Sequence, residues 1–134
     1  PSYQESTNTK TRDIGMTYIE IIVQVTIALG IYNVWLLRFG KATSWRGGTA
    51  QNMKEEFAAY GLPPTGMYVV GFFKITFATM LLIGIALPSF VRPAALGMTL
   101  LMVGAIVMHI KVSDPLKRSL PAAMMLGLSL VVLL

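Results

Sequence analysis

The sequence predicts an all-α fold, an integral membrane bundle of four helices, and three observations predict it. Of the 134 residues, 54% are apolar. Only 13% are charged, where a soluble domain carries roughly a quarter. The apolar residues also fall into four long runs, and most of the charge lies between them.

The first run extends over about 14–37, from Ile14 to Leu37, and is closed by Arg38. At about 1.5 Å per residue this crosses a hydrocarbon core of about 30 Å with some tilt. The polar residues before it, Pro1 to Asp13, together with its length, argue for a membrane span and against a cleavable signal. A second span is expected over about 66–87, stopping at Pro88. A third is expected over about 93–112, after Arg92-Pro93, where proline suits a first helical turn. The fourth, over about 116–134, has a purely apolar part, Leu120 to Leu134, that is short for a full crossing. Either the snorkelling stems of Lys117 and Arg118 extend it, or the native chain continues past Leu134. The runs are too long and uniform for barrel strands, which alternate. One transmembrane domain covers 1–134.

The one sizeable loop, Arg38 to Thr65, holds an amphipathic helix expected over about 50–60. Ala50, Met53, Phe57 and Tyr60 share one side, and Lys54, Glu55 and Glu56 occupy the other. Thr49 is the expected cap, and Gly61 with Pro63-Pro64 the stop. Such a helix either lies in the headgroup plane or packs across the end of the bundle.

In a soluble chain the net charge of +5 would suggest nucleic acid. Here the cations flank apolar runs, so the partners expected are a lipid bilayer and other membrane subunits, and no nucleic acid. Four Lys and Arg in the first loop and three in the last outnumber three on the opposite side. That places both richer loops in the cytoplasm and both termini outside. With no cysteine there are no disulfides or thiolate metal sites, and no metal site is expected. The nine methionines read as adaptable packing. Small residues mark expected helix contacts: Gly71, Ala78 and Gly84 in the second span, Ala94, Gly97, Gly104 and Ala105 in the third, Ala123 and Gly127 in the fourth.

Polar groups inside the spans are costly and point to function. Lys74 lies near the centre of the second span. Glu20 and Gln24, spaced i, i+4 with Thr17 on the same face, form a polar stripe expected to face the bundle. His109, the sole histidine, sits in the last turn of the third span. In an antiparallel bundle Lys74 and His109 differ by roughly 6 Å in depth, whereas Glu20 lies about 12 Å from Lys74. A polar pocket around Lys74 and His109 follows, with Asn33 and Arg38 at its mouth. Structural hydrogen bonding or snorkelling explains each of these residues as well.

The segments Asn33-Val34-Trp35-Leu36-Leu37-Arg38, Gly40-Lys41 and Glu56 through Pro63 follow one another from the end of the first span through the first loop, then Val70-Gly71-Phe72-Phe73-Lys74 with Leu82-Ile83-Gly84, and Gly104 through His109. In this order they resemble the DoxX-like family of small bacterial membrane proteins. The resemblance covers about 15–134. It implies four membrane helices in a bacterial plasma (inner) membrane and, for some members, a place in redox complexes such as thiosulfate–quinone oxidoreduction. Many members carry a glutamate where this chain has Lys74, so an acid/base role there does not carry over.

Three functions are compatible with these features. The first is an accessory or anchoring subunit of a larger membrane complex, more a partner than an enzyme on its own. The second is a quinone-interacting subunit of an oxidoreductase; with no cofactor ligands recognisable in this chain, its electrons would come from a partner. The third is a small ion-coupled transporter using Glu20. The sequence leaves the catalytic residues, if any, unknown.

Overall fold

A computed structural model describes residues 3–134; the side chains at 4 and 8–16, which include Lys10 and Arg12, lie outside the description. Five α-helices make up the fold, with no strand among the described residues. They are α1 (Tyr3–Tyr32), α2 (Met53–Ala59), α3 (Pro64–Ile83), α4 (Val91–Lys111) and α5 (Leu120–Leu133). Four stretches are long and apolar enough to cross a membrane: Thr17–Leu37, Pro64–Ile83, Pro88–Lys111 and Leu116–Leu133. Their outer faces carry Ile22, Leu29, Tyr68, Phe72, Leu96, Val107 and Ile110, all exposed. Only acyl chains solvate such a belt favourably.

Several boundaries differ from the sequence expectation, each for a local reason. Helix α3 begins at Pro64 rather than 66, because a proline at the first helical position loses no hydrogen bond that the helix needs. It ends at Ile83, and residues 84–87 form turns instead of a last helical turn. A 3-10 turn, Pro88–Phe90, leads straight into α4, so Arg92 and Pro93 lie inside its first turn. A second 3-10 turn, Leu116–Ser119, precedes α5, which leaves Lys117 and Arg118 outside the α-helix. Lys117 lies over the Trp45 ring at 6.0 Å and Arg118 pairs with Asp114 at 3.0 Å, and the fourth membrane-crossing stretch, Leu116–Leu133, includes both. The cap of α2 is Asn52, not Thr49: its side chain accepts from the Glu55 N–H at 2.8 Å. Glu55 in turn accepts from the Gln51 N–H at 2.7 Å, a variant of the reciprocal cap. At its other end Gly61, at φ +80°, lets the Leu62 N–H reach back to the Phe57 carbonyl.

The four long helices form a closed ring in which α1 packs on α3 and α5, and α4 joins α3 to α5. The half of the ring away from the basic loops is solid. Ile27, Ala28, Ala78, Leu81, Ala94, Ala95, Met98 and Ser129 are all fully buried there. Small residues set this close approach, as van der Waals contact must where hydrophobic drive between helices is weak. Gly71 receives the Trp35 ring, whose atoms would lie 2.5 Å from a Cβ placed there; Gly97 receives Phe77 and Gly84 receives Val91. Polar links reinforce it. Gln24 donates to the Leu81 carbonyl at 2.7 Å, and Tyr32 meets Thr79 at 2.7 Å. Thr79 already donates to Ile75 O, so Tyr32 is the donor.

The small residues are not all used alike. Nothing approaches a Cβ at Gly104 or Gly127, and Ala123 and Gly127 are exposed on the outside of α5 rather than packed within the bundle. Gly97→Leu is therefore expected to overpack the ring and cost about 1–3 kcal/mol, whereas Gly104→Leu is accommodated. Thermal unfolding in detergent checks this: equal midpoints for the two variants would contradict the packing described.

Candidate functional site

The half of the ring nearer the basic loops is hollow. A cavity of about 790 Å³ lies between the helices there, within the range of about 300–1,000 Å³ typical of ligand pockets. Asn33, Arg38, Lys74 and His109, the four residues singled out in the sequence, all line it. Glu20 does not: it is half-buried on α1 outside the cavity wall, and Thr17 is exposed. Of the polar stripe on α1, only Gln24 is buried, and it is used up on Leu81.

The wall on the α1 side is built by a change of helix type. Asn33–Leu37 forms a π-helical turn, in which the Arg38 N–H bonds to the Asn33 carbonyl at 2.9 Å. Widening the helix turns Asn33, Val34, Trp35 and Arg38 towards the same space, and such turns are frequent at functional sites. Arg38 Nε donates to Asn33 Oδ1 at 3.3 Å. Trp35 is buried, seated on Gly71 and against Phe57 and Phe39.

Lys74 sits ten residues into α3, about 15 Å from its start along the axis. Its Nζ lies 5.4 Å from the Trp35 ring centre, and among the described residues it has no hydrogen-bond or carboxylate partner. It does not pair with Glu20. A desolvated cation–π contact returns about 2 kcal/mol, against an insertion cost of about 2.5–3.5 kcal/mol for a mid-membrane charge. The contact alone falls short of that cost.

The cavity's end cap is a folded loop whose organiser is Arg46, only 4% exposed. Its guanidinium donates to the carbonyls of Arg38, Phe39 and Lys41 and pairs with Glu56 Oε2 at 2.8 Å. Glu56 therefore faces inward, contrary to the helical-wheel expectation, because a buried guanidinium needs a carboxylate more than the surface does. Its other oxygen accepts from the Gly47 N–H at 3.1 Å and from the Tyr60 hydroxyl at 2.8 Å. Burial and the neighbouring Glu56 carboxylate push the Tyr60 hydroxyl well above the usual phenol range, so it stays protonated.

From Tyr60 the network continues into α4. The Tyr60 hydroxyl lies 3.5 Å from His109 Nε2, and His109 Nδ1 lies 2.8 Å from Asp114 Oδ2. A Schellman turn aims Asp114 back at His109. Ser113 adopts φ 59°, its N–H bonds to the Ile110 carbonyl, and the Asp114 N–H bonds to the His109 carbonyl at 3.0 Å. Asp114 also accepts from Gly48 N–H and from Arg118 Nη1, both at 3.0 Å, and Arg118 donates to the Gly48 carbonyl as well. Lys111 Nζ ties α4 to the Tyr60 carbonyl at 2.8 Å. Burial pushes the Asp114 carboxyl up, but the hydrogen bonds from His109 and Gly48 and the charge of Arg118 outweigh it. The carboxyl is held below its ordinary value.

Sequence reasoning missed Arg46, Glu56, Tyr60 and Asp114 as members of this site. The signal available was the cap pattern Asn52-x-x-Glu55, which fixes the rotation of α2 and with it the inward side of Glu56. Among the described residues no group of three or more His, Asp or Glu is placed to hold a metal.

Comparison with protein families gives a match over residues 34–132 to the DoxX-like family. The chain belongs to that family. The matched span of this DoxX-like protein contains Trp35, Arg38, Lys74, His109 and the whole loop network, and leaves out Glu20, Gln24 and Asn33. No curated protein and no solved structure matches the chain.

The lowered Asp114 carboxyl fixes the sign of an acid response. Its contribution is complete above the ordinary carboxylate range near about 4 and is lost as pH falls through the lowered value. Protection of the Gly48 amide against hydrogen exchange is thus expected to persist to mildly acid pH and then collapse. In Asp114→Asn that protection is expected to be weak at every pH, with a cost on the order of 3 kcal/mol for stranding Arg118 and His109. An unchanged acid profile in the variant would remove Asp114 from this role.

Proposed function

We propose that this DoxX-like protein is an accessory subunit of a larger complex in a bacterial plasma membrane, and that it holds a lipid-soluble ligand in its cavity. The observation that carries the reading is a bundle packed solid in one half and hollow in the other, with the ion pairs of the described residues gathered at the hollow end. On this reading the basic loops lie in the cytoplasm and both termini outside, following the lysine and arginine distribution. Support for partner subunits comes from α5. Ala123 and Gly127 form an exposed small-xxx-small face that lets another helix approach closely.

A second reading has a specific observation in its favour. The linked Tyr60 and His109 end at the cavity wall, where they could pass protons to a quinone carbonyl, with Trp35 alongside the ring. Reduction to the quinol takes two protons and two electrons; the protons would cross these groups and the electrons would come from a partner subunit.

Gentle detergent extraction and native purification test both readings. Co-purification with other membrane subunits is expected; a chain that emerges alone and monodisperse sinks the accessory reading. Companions carrying flavin or haem would favour the quinone reading. In that case Lys74→Met is expected to lower quinone-linked turnover at least tenfold while leaving assembly intact. Unaltered turnover would show that Lys74 does not hold the ring.

A further inference from the structure

The ionic groups of the cavity do not balance. Of the cations in its wall, Arg46 is matched by Glu56 and Arg118 by Asp114. Arg38 and Lys74 have no carboxylate at ion-pair distance among the described residues, and Glu56 acts on Lys74 only from farther off; Arg38 touches the Asn33 amide oxygen and Lys74 the Trp35 ring. Both line the cavity, and Glu56, the carboxylate that acts on Lys74, is already paired with Arg46. Arg38 is exposed at the cavity mouth, but Lys74 is partly buried within its span, so a neutral ligand would leave the Lys74 charge unpaired there, whereas an anion would offset it.

Size and lining then separate a free oxyanion from the head of a larger molecule. A small oxyanion would occupy a minor part of about 790 Å³. The remaining wall is largely apolar: Ile31, Val34, Val70, Leu101, Met102 and Met125. Ile31, Val70, Leu101 and Met125 come from α1, α3, α4 and α5, so all four long helices contribute to the apolar wall. Gly104 adds room there, since nothing lies within 4 Å of a Cβ at that position.

We propose that the cavity binds a single-chain amphiphile with an acidic head, its oxyanion between Lys74 and Arg38 and its chain along the apolar wall. This rests on the ligand-holding reading above and narrows it to an acidic class.

Tryptophan fluorescence in phosphatidylcholine nanodiscs tests it, with 9,10-dibromostearic acid as the probe, because Trp35 forms part of the wall and bromine quenches at short range. The 9,10-dibromo stearyl alcohol serves as neutral counterpart. Saturable quenching by the acid is expected, with the alcohol at least tenfold weaker. Lys74→Met should abolish that preference, Lys74→Arg should keep it, and Gly104→Leu, which puts a side chain into the cavity without altering charge, should weaken quenching by both. Equal affinity for acid and alcohol, both weakened in Gly104→Leu, would overturn the acidic assignment and leave the ligand-holding reading standing. Quenching insensitive to Gly104→Leu would overturn both. Displacement of the acid by millimolar acetate or phosphate would overturn the amphiphile in favour of a free oxyanion. Because Gly104→Leu retains Lys74, a folding failure of Lys74→Met does not decide the outcome.

Discussion

A guanidinium that cannot reach water organises the basic end of this protein. Arg46 has several donors and almost no exposure, so the chain around it must supply acceptors. Three come from the carbonyls of Arg38, Phe39 and Lys41 where the helix ends; the first two also accept the Lys41 and Met53 amides, so Arg46 is a second donor to each. The fourth, Glu56, fixes the rotation of α2, and that rotation places Tyr60 against His109. One buried ion pair thereby connects the end of α1 to the end of α4 through a seven-residue helix. It acts with the Asn52 cap and with burial of Met53, Phe57 and Tyr60 to set that side of α2 against the bundle.

The same requirement explains why the network closes on itself. Near the membrane interface each added polar group needs a partner, and among the described residues every buried side-chain nitrogen and oxygen has one. Asp114 answers His109, Gly48 and Arg118 together, so the α4–α5 turn and the first loop share a carboxylate. Ser113 accepts a left-handed backbone to make this possible, a conformation that costs about 1–2 kcal/mol outside glycine. Strain held by a surrounding network at a cavity rim is the pattern expected where geometry matters more than local preference. The cap is thus rigid because it is satisfied, and the cavity beneath it keeps its shape.

The fold was legible in the sequence because lipid imposes one rule on long apolar runs, and four such runs allow few arrangements. The pocket residues were legible for the complementary reason. Lys74 and His109 are conspicuous in apolar surroundings, and helical rise alone puts them at comparable depth. Arg46, Glu56 and Asp114 were not legible, since a charged residue in a loop looks the same whether it is solvated or buried. Only the path of the chain decides between the two. The π-turn at Asn33–Leu37 is equally silent, because Asn-Val-Trp-Leu-Leu satisfies an ordinary helix just as well. Its cause lies in packing: Trp35 must enter the notch at Gly71, and a wider turn delivers the ring there.

That notch also bears on the unmatched lysine. Gly71 and Lys74 are three residues apart on α3, so they share a face, and the Trp35 ring that fills the notch reaches the Lys74 ammonium group. The ring gives Lys74 a resting place without neutralising it. A carboxylate at the same position would have satisfied the charge outright and closed the site to anions, and Glu56, the nearest acid of the cap, is committed to Arg46. The arrangement keeps one cation supported but uncompensated inside a cavity that packing could have filled. A bundle built for stability alone would have spent neither the volume nor the charge, since a methionine at position 74 and larger side chains at Gly104 satisfy the same helices at lower cost.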